Sequence, residues 1–249
     1  MVIKSLYSAA IDSWQRRNSY SVTGIRAALI DMDGTLYDSM PLHSRAWERL
    51  AREEGLTVAP GEFFMHEGRT GAATINLLMR RERNRDATDN ELHDLYQRKT
   101  EYFRELPQPP VMPGAAQMLD VLRRAGITRV LVTGSGQNSL IDRLDTDFPG
   151  AFLSGMRVTS RDVVQGKPHP EPFLKGMAIA KAEPGQTIVI ENAPLGVEAG
   201  HRSGAFTIAV NSGPIPVSAL EEAGADIVFP SMTDLAMSLP SLIDALRRH

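Results

Sequence analysis

The chain has 249 residues, with 27 Lys and Arg against 30 Asp and Glu, a formal charge of −3 and no cysteine. At roughly 100 to 200 residues per domain, that length allows one large domain or a core with a smaller companion. The missing cysteines exclude disulfides, thiolate metal sites, iron–sulfur clusters and cysteine nucleophiles. With 42% hydrophobic and 23% charged residues, the composition is that of a soluble globular protein, and no apolar run is long enough for a membrane span. The slightly acidic balance lacks the clustered Lys and Arg that nucleic acid demands. The expectation is a cytoplasmic monomer that engages neither nucleic acid nor membrane.

Residues 1–24 read as an N-terminal extension, a short helix or a loose segment. They carry Asp12, Arg16 and Arg17 and lack the continuous apolar stretch of a signal peptide. Five later runs are apolar at consecutive positions, as buried parallel strands are: Ala27 to Ile30, Arg129 to Val132, Thr187 to Ile190, Phe206 to Val210 and Ile227 to Phe229. Helical patterns lie between them, such as Pro113 to Ala125 and Leu195 to Ser203, and these end at Gly126 and Gly204. The alternation predicts an α/β fold, a doubly wound parallel sheet. Pro41 to Leu106 breaks the rhythm, being helical in pattern throughout. It reads as an inserted α-helical domain, closed on its far side by Pro107, Pro109, Pro110 and Pro113. The expected division is a core of 25–38 and 108–249 with a helical insertion at 39–107.

Asp31-Met32-Asp33-Gly34-Thr35 follows the first strand and places two carboxylates at the strand's carboxyl end, the edge where open α/β sheets bind ligands. Acids this close repel unless a proton or cation joins them, and an oxygen-only donor set favours Mg²⁺. Taken alone, the segment reads equally well as a polar turn. Other strand ends add to it: Thr133-Gly134-Ser135 offers a hydroxyl and loop amides, Lys167 precedes Pro168, and the strand through Ile190 ends in Glu191-Asn192. Gly134-Ser135-Gly136 lacks the third glycine of a dinucleotide fingerprint, and Gly166-Lys167-Pro168 lacks the hydroxyl of a P-loop.

This ordered set, with DMDGT, VTGS, GKP and IENAPLG, resembles the haloacid dehalogenase superfamily of aspartyl phosphotransferases from about Arg26 onward. The resemblance implies a Rossmann-like core. A helical insertion after the first motif is similar to the cap of the β-phosphoglucomutase-like group. More locally, MPLHSRAW, MHEGRTGAATIN, IENAPLGVEAG and FTIAVNSGP resemble its bacterial inorganic pyrophosphatase subgroup.

The resemblance implies Asp31 as a nucleophile that becomes a transient aspartyl phosphate, and Asp33 as the acid and base that also lends its backbone carbonyl to Mg²⁺. It implies Lys167 as the cation that neutralises Asp31 and the transferring group, and Thr133, Gly134 and Ser135 as ligands of the phosphoryl oxygens. Asp31, Asp33, Glu191 and Asn192 would surround the metal. Asn192 stands where the commonest form has a second Asp, so one negative charge is missing. Glu67, in His66-Glu67-Gly68-Arg69, matches a position that supplies a carboxylate from the cap in the resembling pyrophosphatases. It is expected to restore that charge and to restrict the site to small substrates. His43 shares a helix face with Trp47 and is expected to orient Asp33 or the leaving phosphate, while Arg69 suits a second phosphate. The sugar-phosphate arginine of the mutases has no counterpart, because Gly71 and Ala72 stand there.

The expectation is therefore a Mg²⁺-dependent phosphohydrolase, foremost an inorganic pyrophosphatase. The alternatives are a β-phosphoglucomutase or small sugar-phosphate phosphatase and, more distantly, a phosphate-binding protein without turnover.

Overall fold

The structure is a computed structural model and describes residues 2–20, 24–135 and 138–248. Six parallel strands form one sheet: β1 (Ala27–Ile30), β2 (Thr128–Val132), β3 (Arg157–Val158), β4 (Thr187–Glu191), β5 (Phe206–Val210) and β6 (Ile227–Phe229). Their order across the sheet is β3-β2-β1-β4-β5-β6, so β1 is central and its neighbours are β2 and β4. Five strands match the apolar runs. β3 does not: only two of its residues pair, and the first is Arg157, so no apolar run announces it.

Side chains of β1 alternate between two cores, as the pleat requires. Ala28 and Ile30 join the larger cluster with Ile188, Ile190 and Ile208, whereas Leu29 joins Val130, Val132 and Val189 on the opposite face. The larger cluster is covered by α1 (Val2–Asn18), α6 (Ala115–Arg124) and α12 (Met232–Arg248). The other face is covered by α9 (Glu171–Ala180) and α10 (Pro194–Ser203), which supply Phe173, Met177 and Ala199.

The N-terminal segment is a docked helix over its described part; Met1 and residues 21–23 of the expected extension lie outside the described residues. Ile11 and Trp14 are fully buried, Trp14 Nε1 donates to Gly204 O at 2.9 Å, and Arg17 pairs with Asp226 at 3.0 Å. Truncating Trp14 to Ala would cost about 3–5 kcal/mol.

Between β1 and α6 the chain builds four helices, α2 (Met40–Glu53), α3 (Glu62–Met65), α4 (Gly71–Arg83) and α5 (Asp89–Arg104). They share a separate core of Trp47, Leu50, Phe63, Ile75, Leu78 and Leu95. Thr70 caps α4 by accepting from Ala73 N at 3.2 Å, and Thr88 and Glu91 form a reciprocal capping box on α5, the T-x-x-E signature of a helix start. The two connecting segments run side by side: Asp38 N donates to Pro110 O at 3.0 Å and Met112 N to Leu36 O at 2.9 Å. The short α7 (Asn138–Ile141), α8 (Leu144–Asp147) and α11 (Val217–Glu222) complete the fold. No helix among the described residues is long and apolar enough to cross a membrane.

Candidate active site

The carboxyl ends of β1, β2 and β4 converge beneath the inserted helices. Asp31 N donates to Ile190 O at 3.0 Å, which carries the β1–β4 ladder one residue further and fixes Asp31 at the sheet edge. The chain then turns, with Gly34 N donating to Tyr37 O at 2.8 Å and Ser212 Oγ to Gly34 O at 2.6 Å. Gly34 has φ +78°, and a Cβ there would lie 2.6 Å from Glu67 Oε1 and 2.8 Å from Asn192 Cγ. Only glycine meets both the backbone and the space requirement.

Lys167 Nζ is the buried hub. It donates to Asp31 Oδ1 at 2.5 Å, Glu191 Oε1 at 2.5 Å and Val132 O at 3.0 Å. Burial opposes its charge, but Asp31 and Glu191 outweigh burial and hold the ammonium above its ordinary range. One ammonium shared by two carboxylates leaves negative charge in excess. Burial, with Glu191 and Asp33 adding to it, lifts Asp31 well above the usual carboxylate range despite Lys167. The other oxygen of Glu191, Oε2, accepts from Asn192 N at 2.9 Å and Ala193 N at 3.2 Å. Both Glu191 oxygens are thus engaged in holding Lys167 and the loop after β4.

Asn192 links core and insertion. Its Nδ2 donates to Glu67 Oε1 at 2.8 Å, and its Oδ1 accepts from Thr35 Oγ1 at 3.2 Å. Glu67 is buried, and its carboxyl is pushed well above the ordinary range, first by burial and then by Asp31, Glu191 and Asp33, with Asn192 opposing.

A second polar chain runs from Asp33 into the helices. Asp33 Oδ1 accepts from Ser39 Oγ at 2.6 Å and meets His43 Nε2 at 3.0 Å, and His43 Nδ1 lies 2.6 Å from Lys99 Nζ. The imidazole stacks on Phe103 at 4.2 Å between ring centroids. Burial alone would raise Asp33, but His43, Ser39 and Lys99 together hold it below the ordinary value. Burial, and Lys99 beside it, pull His43 down. Lys99 is pulled to about 7 by burial, with Asp33 opposing. Its three donors and ammonium charge leave the neutral ring to donate from Nε2 toward Asp33.

Above these groups lies a cleft of about 60 Å³, room for roughly four or five waters by its accessible volume. Asp31, Asp33, Thr133, Gly134 and Ser135 face it from the core, His43 from α2, and Glu67 and Arg69 from the loop before α4. Ser135 N donates to Thr133 Oγ1 at 3.0 Å, which orders the loop after β2. Arg69 lines the cleft, and its Nε is a buried donor with no hydrogen-bond partner, suited to an anion. The loop 66–70 presses onto the core: a Cβ at Gly166 would lie 2.6 Å from Thr70 Cγ2, and one at Gly134 would collide with Gly68 O.

The residues fit the Mg²⁺ that the resemblance implies. Asp31 and Glu67 are buried carboxylates raised first by burial and then by neighbouring carboxylates, Asn192 Oδ1 keeps a second lone pair, and every available donor is oxygen. Among the described residues no three His, Asp or Glu side chains form a metal cage by themselves. A cation here would draw on Asp31, Asn192, Glu67 and main-chain oxygen at Asp33 together.

All eleven residues singled out from the sequence thus gather at one place: eight face the cleft, Lys167 and Asn192 are bonded to Asp31 and Glu67, and Glu191 is bonded to Lys167. Sequence reasoning missed Ser39, Thr35 and Lys99. Lys99 had a signal, because it interrupts the apolar stripe Leu95, Lys99, Phe103 on α5, where all three are buried. Ser39 and Thr35 had none, since their bonds depend on the turn after β1.

Comparison with known proteins agrees with this geometry. Hexitol phosphatase A of Escherichia coli is 31% identical over 212 residues, covering 84% of this chain and 93% of that one. The 2-deoxyglucose-6-phosphate phosphatase 1 of Saccharomyces cerevisiae is 29% identical over 224 residues, 84% of this chain and 89% of its own. A solved structure of a candidate beta-phosphoglucomutase from Bacteroides vulgatus superposes with a TM-score of 0.94 at 43% identity, covering 98% of this chain and 99% of that one. Residues 25–204 match the haloacid dehalogenase-like hydrolases, and the chain belongs to that family.

Proposed function

We propose that the protein hydrolyses small sugar-phosphate monoesters through an aspartyl-phosphate intermediate. The observation that carries this is the Asp31–Lys167 pair at the end of β1, buried beneath a small cleft lined by Arg69, whose Nε has no hydrogen-bond partner. Residues 39–107 act as a cap over a core of 25–38 and 108–249. Asp31 Oδ forms the bond to phosphorus as the bond to the leaving oxygen breaks, while Lys167, Thr133 and the amides of Gly134 and Ser135 hold the phosphoryl oxygens. Asp33, ionised at rest, relays to the leaving oxygen a proton that His43 Nε2 passes to it and Lys99 replaces at Nδ1, then takes a proton from the water that cleaves the acyl phosphate and returns it along the same chain, with Ser39 orienting the carboxylate. Mg²⁺, when bound, neutralises the surplus carboxylate charge and that of the phosphoryl group. The names of the curated relatives favour sugar phosphates over the inorganic diphosphate expected from the local motifs.

Hydrolysis of inorganic diphosphate is the second reading, and one contact favours it. The Glu67–Asn192 bond ties the insertion to the core directly over the nucleophile loop, leaving little room for a hexose. The test is a panel of sorbitol 6-phosphate, 2-deoxyglucose 6-phosphate, β-glucose 1-phosphate and inorganic diphosphate, with Mg²⁺ and with EDTA. Release of phosphate from the sugar phosphates at a higher kcat/KM than from diphosphate supports the main reading. Preference for diphosphate replaces it with the second, and conversion of β-glucose 1-phosphate to glucose 6-phosphate without net hydrolysis overturns both.

A further inference from the structure

On the cap side of the cleft, the position of an aromatic ring depends on one missing Cβ. Tyr96 stands on α5 one turn before Lys99 and lines the cleft. Its ring lies flush on Gly71, the first residue of α4: a Cβ at position 71 would collide with Cδ2 and Cε2 and lie 3.0 Å from Cζ. Gly71 has no positive φ to require glycine, so the requirement is steric and comes from Tyr96. The backbone of Tyr96 accepts from Thr100 Oγ1 at 2.9 Å, and its ring packs against the helical core that contains Leu95, Ile75 and Phe63. With two side-chain torsions and a helix end behind it, the ring forms a rigid wall.

A phosphoryl group seated among Asp31, Thr133 and Ser135 directs its leaving group toward the cap side of a cleft of only about 60 Å³. We propose that Tyr96, seated on Gly71, sets the largest leaving group the cleft accepts and so selects small phosphorylated compounds over bulky phosphomonoesters. This rests on the cleft being the phosphoryl-transfer site.

The experiment compares the parent, Tyr96→Ala and Tyr96→Phe on glycerol 1-phosphate, sorbitol 6-phosphate and trehalose 6-phosphate, with melting temperatures recorded alongside. The expected result is a rise of about tenfold or more in the kcat/KM ratio of trehalose 6-phosphate to glycerol 1-phosphate in Tyr96→Ala, within the range that pocket shape commands. Tyr96→Phe keeps the parent ratio, because the ring and not the hydroxyl sets the size. A ratio within twofold of the parent in folded Tyr96→Ala overturns the proposal. The same three esters are titrated calorimetrically into Asp31→Asn versions of each protein. If the parent hydrolyses none of them, the functional reading fails, while the ratios of Kd still decide the role of Tyr96. Absence of binding by every version overturns both.

Discussion

Asn192 Nδ2 donates to Glu67 Oε1 at 2.8 Å, joining the end of β4 to the loop before α4 directly over the turn at Gly34. The bond brings a buried carboxylate from the insertion to a site where the core supplies an uncharged amide. Glu67→Gln keeps the acceptor oxygen and removes the charge. The Mg²⁺ concentration for half-maximal activity should rise about tenfold, within the range reported for weakened metal-site partners. In EDTA the variant should be more stable than the parent. Because the folded Glu67 carboxyl lies well above its unfolded value, the native state binds more protons between the two, and parent stability falls as pH rises through that window. The advantage of Gln should therefore grow with pH across it, as read by denaturant melts.

Lys167 neutralises two buried carboxylates, so Lys167→Met should be destabilising as well as inactive. Removing one partner of a buried ion pair costs about 3–5 kcal/mol, which for a chain of this size is a fall in melting temperature of roughly 10 °C. Adding Glu191→Gln should recover part of that loss. A double variant as unstable as the sum of the singles would show that the pairing is not the source.

Lys99 is a lysine held near pH 7 by burial. Between about 7 and 10.5 the unfolded chain binds the proton that the native Lys99 has lost, so this residue makes stability rise with pH across that window. Below it the native state bears a buried charge. Lys99→Met should stabilise the protein at pH 6 by about 1–4 kcal/mol and flatten the pH dependence above 7, while slowing turnover through loss of the His43 contact. An unchanged slope in thermal melts between pH 7 and 10 would contradict the assignment.

Much of this site was legible in the chain. Asp31, Thr133 and Asn192 follow apolar runs, and the strand-end rule places all three at one sheet edge. Helix starts at Thr70 and Thr88 carry their capping hydroxyls in the sequence. What was not legible depends on tertiary register. Arg157 gives no sign that it heads a strand, and Lys99 reaches His43 only because α2 and α5 pack together. The docking of Trp14 against Gly204 O also spans 190 positions.

Close approach of the loop 66–70 to the core should be sensitive to one methyl group. Gly166→Ala sets its Cβ against Thr70 Cγ2 at 2.6 Å, and Thr70 cannot rotate away without losing its cap on α4, worth about 1 kcal/mol. KM should rise by about tenfold, as the loop is held off the core. Adding Thr70→Ser, which lacks the methyl but keeps the capping oxygen, should restore it. A Gly166→Ala protein with the parent KM would show that closure does not depend on this contact.

The proposed function requires that Asp31 is phosphorylated during turnover. Borohydride quenching during steady-state hydrolysis of sorbitol 6-phosphate or inorganic diphosphate, followed by peptide mass spectrometry, reads it directly, since reduction of an aspartyl phosphate leaves homoserine. Homoserine at position 31, dependent on substrate and absent in an Asp31→Asn protein whose turnover has fallen about 10⁴-fold or more, is the expected result. Rapid hydrolysis with Asp31 unmodified, or undiminished turnover by folded Asp31→Asn, would contradict it.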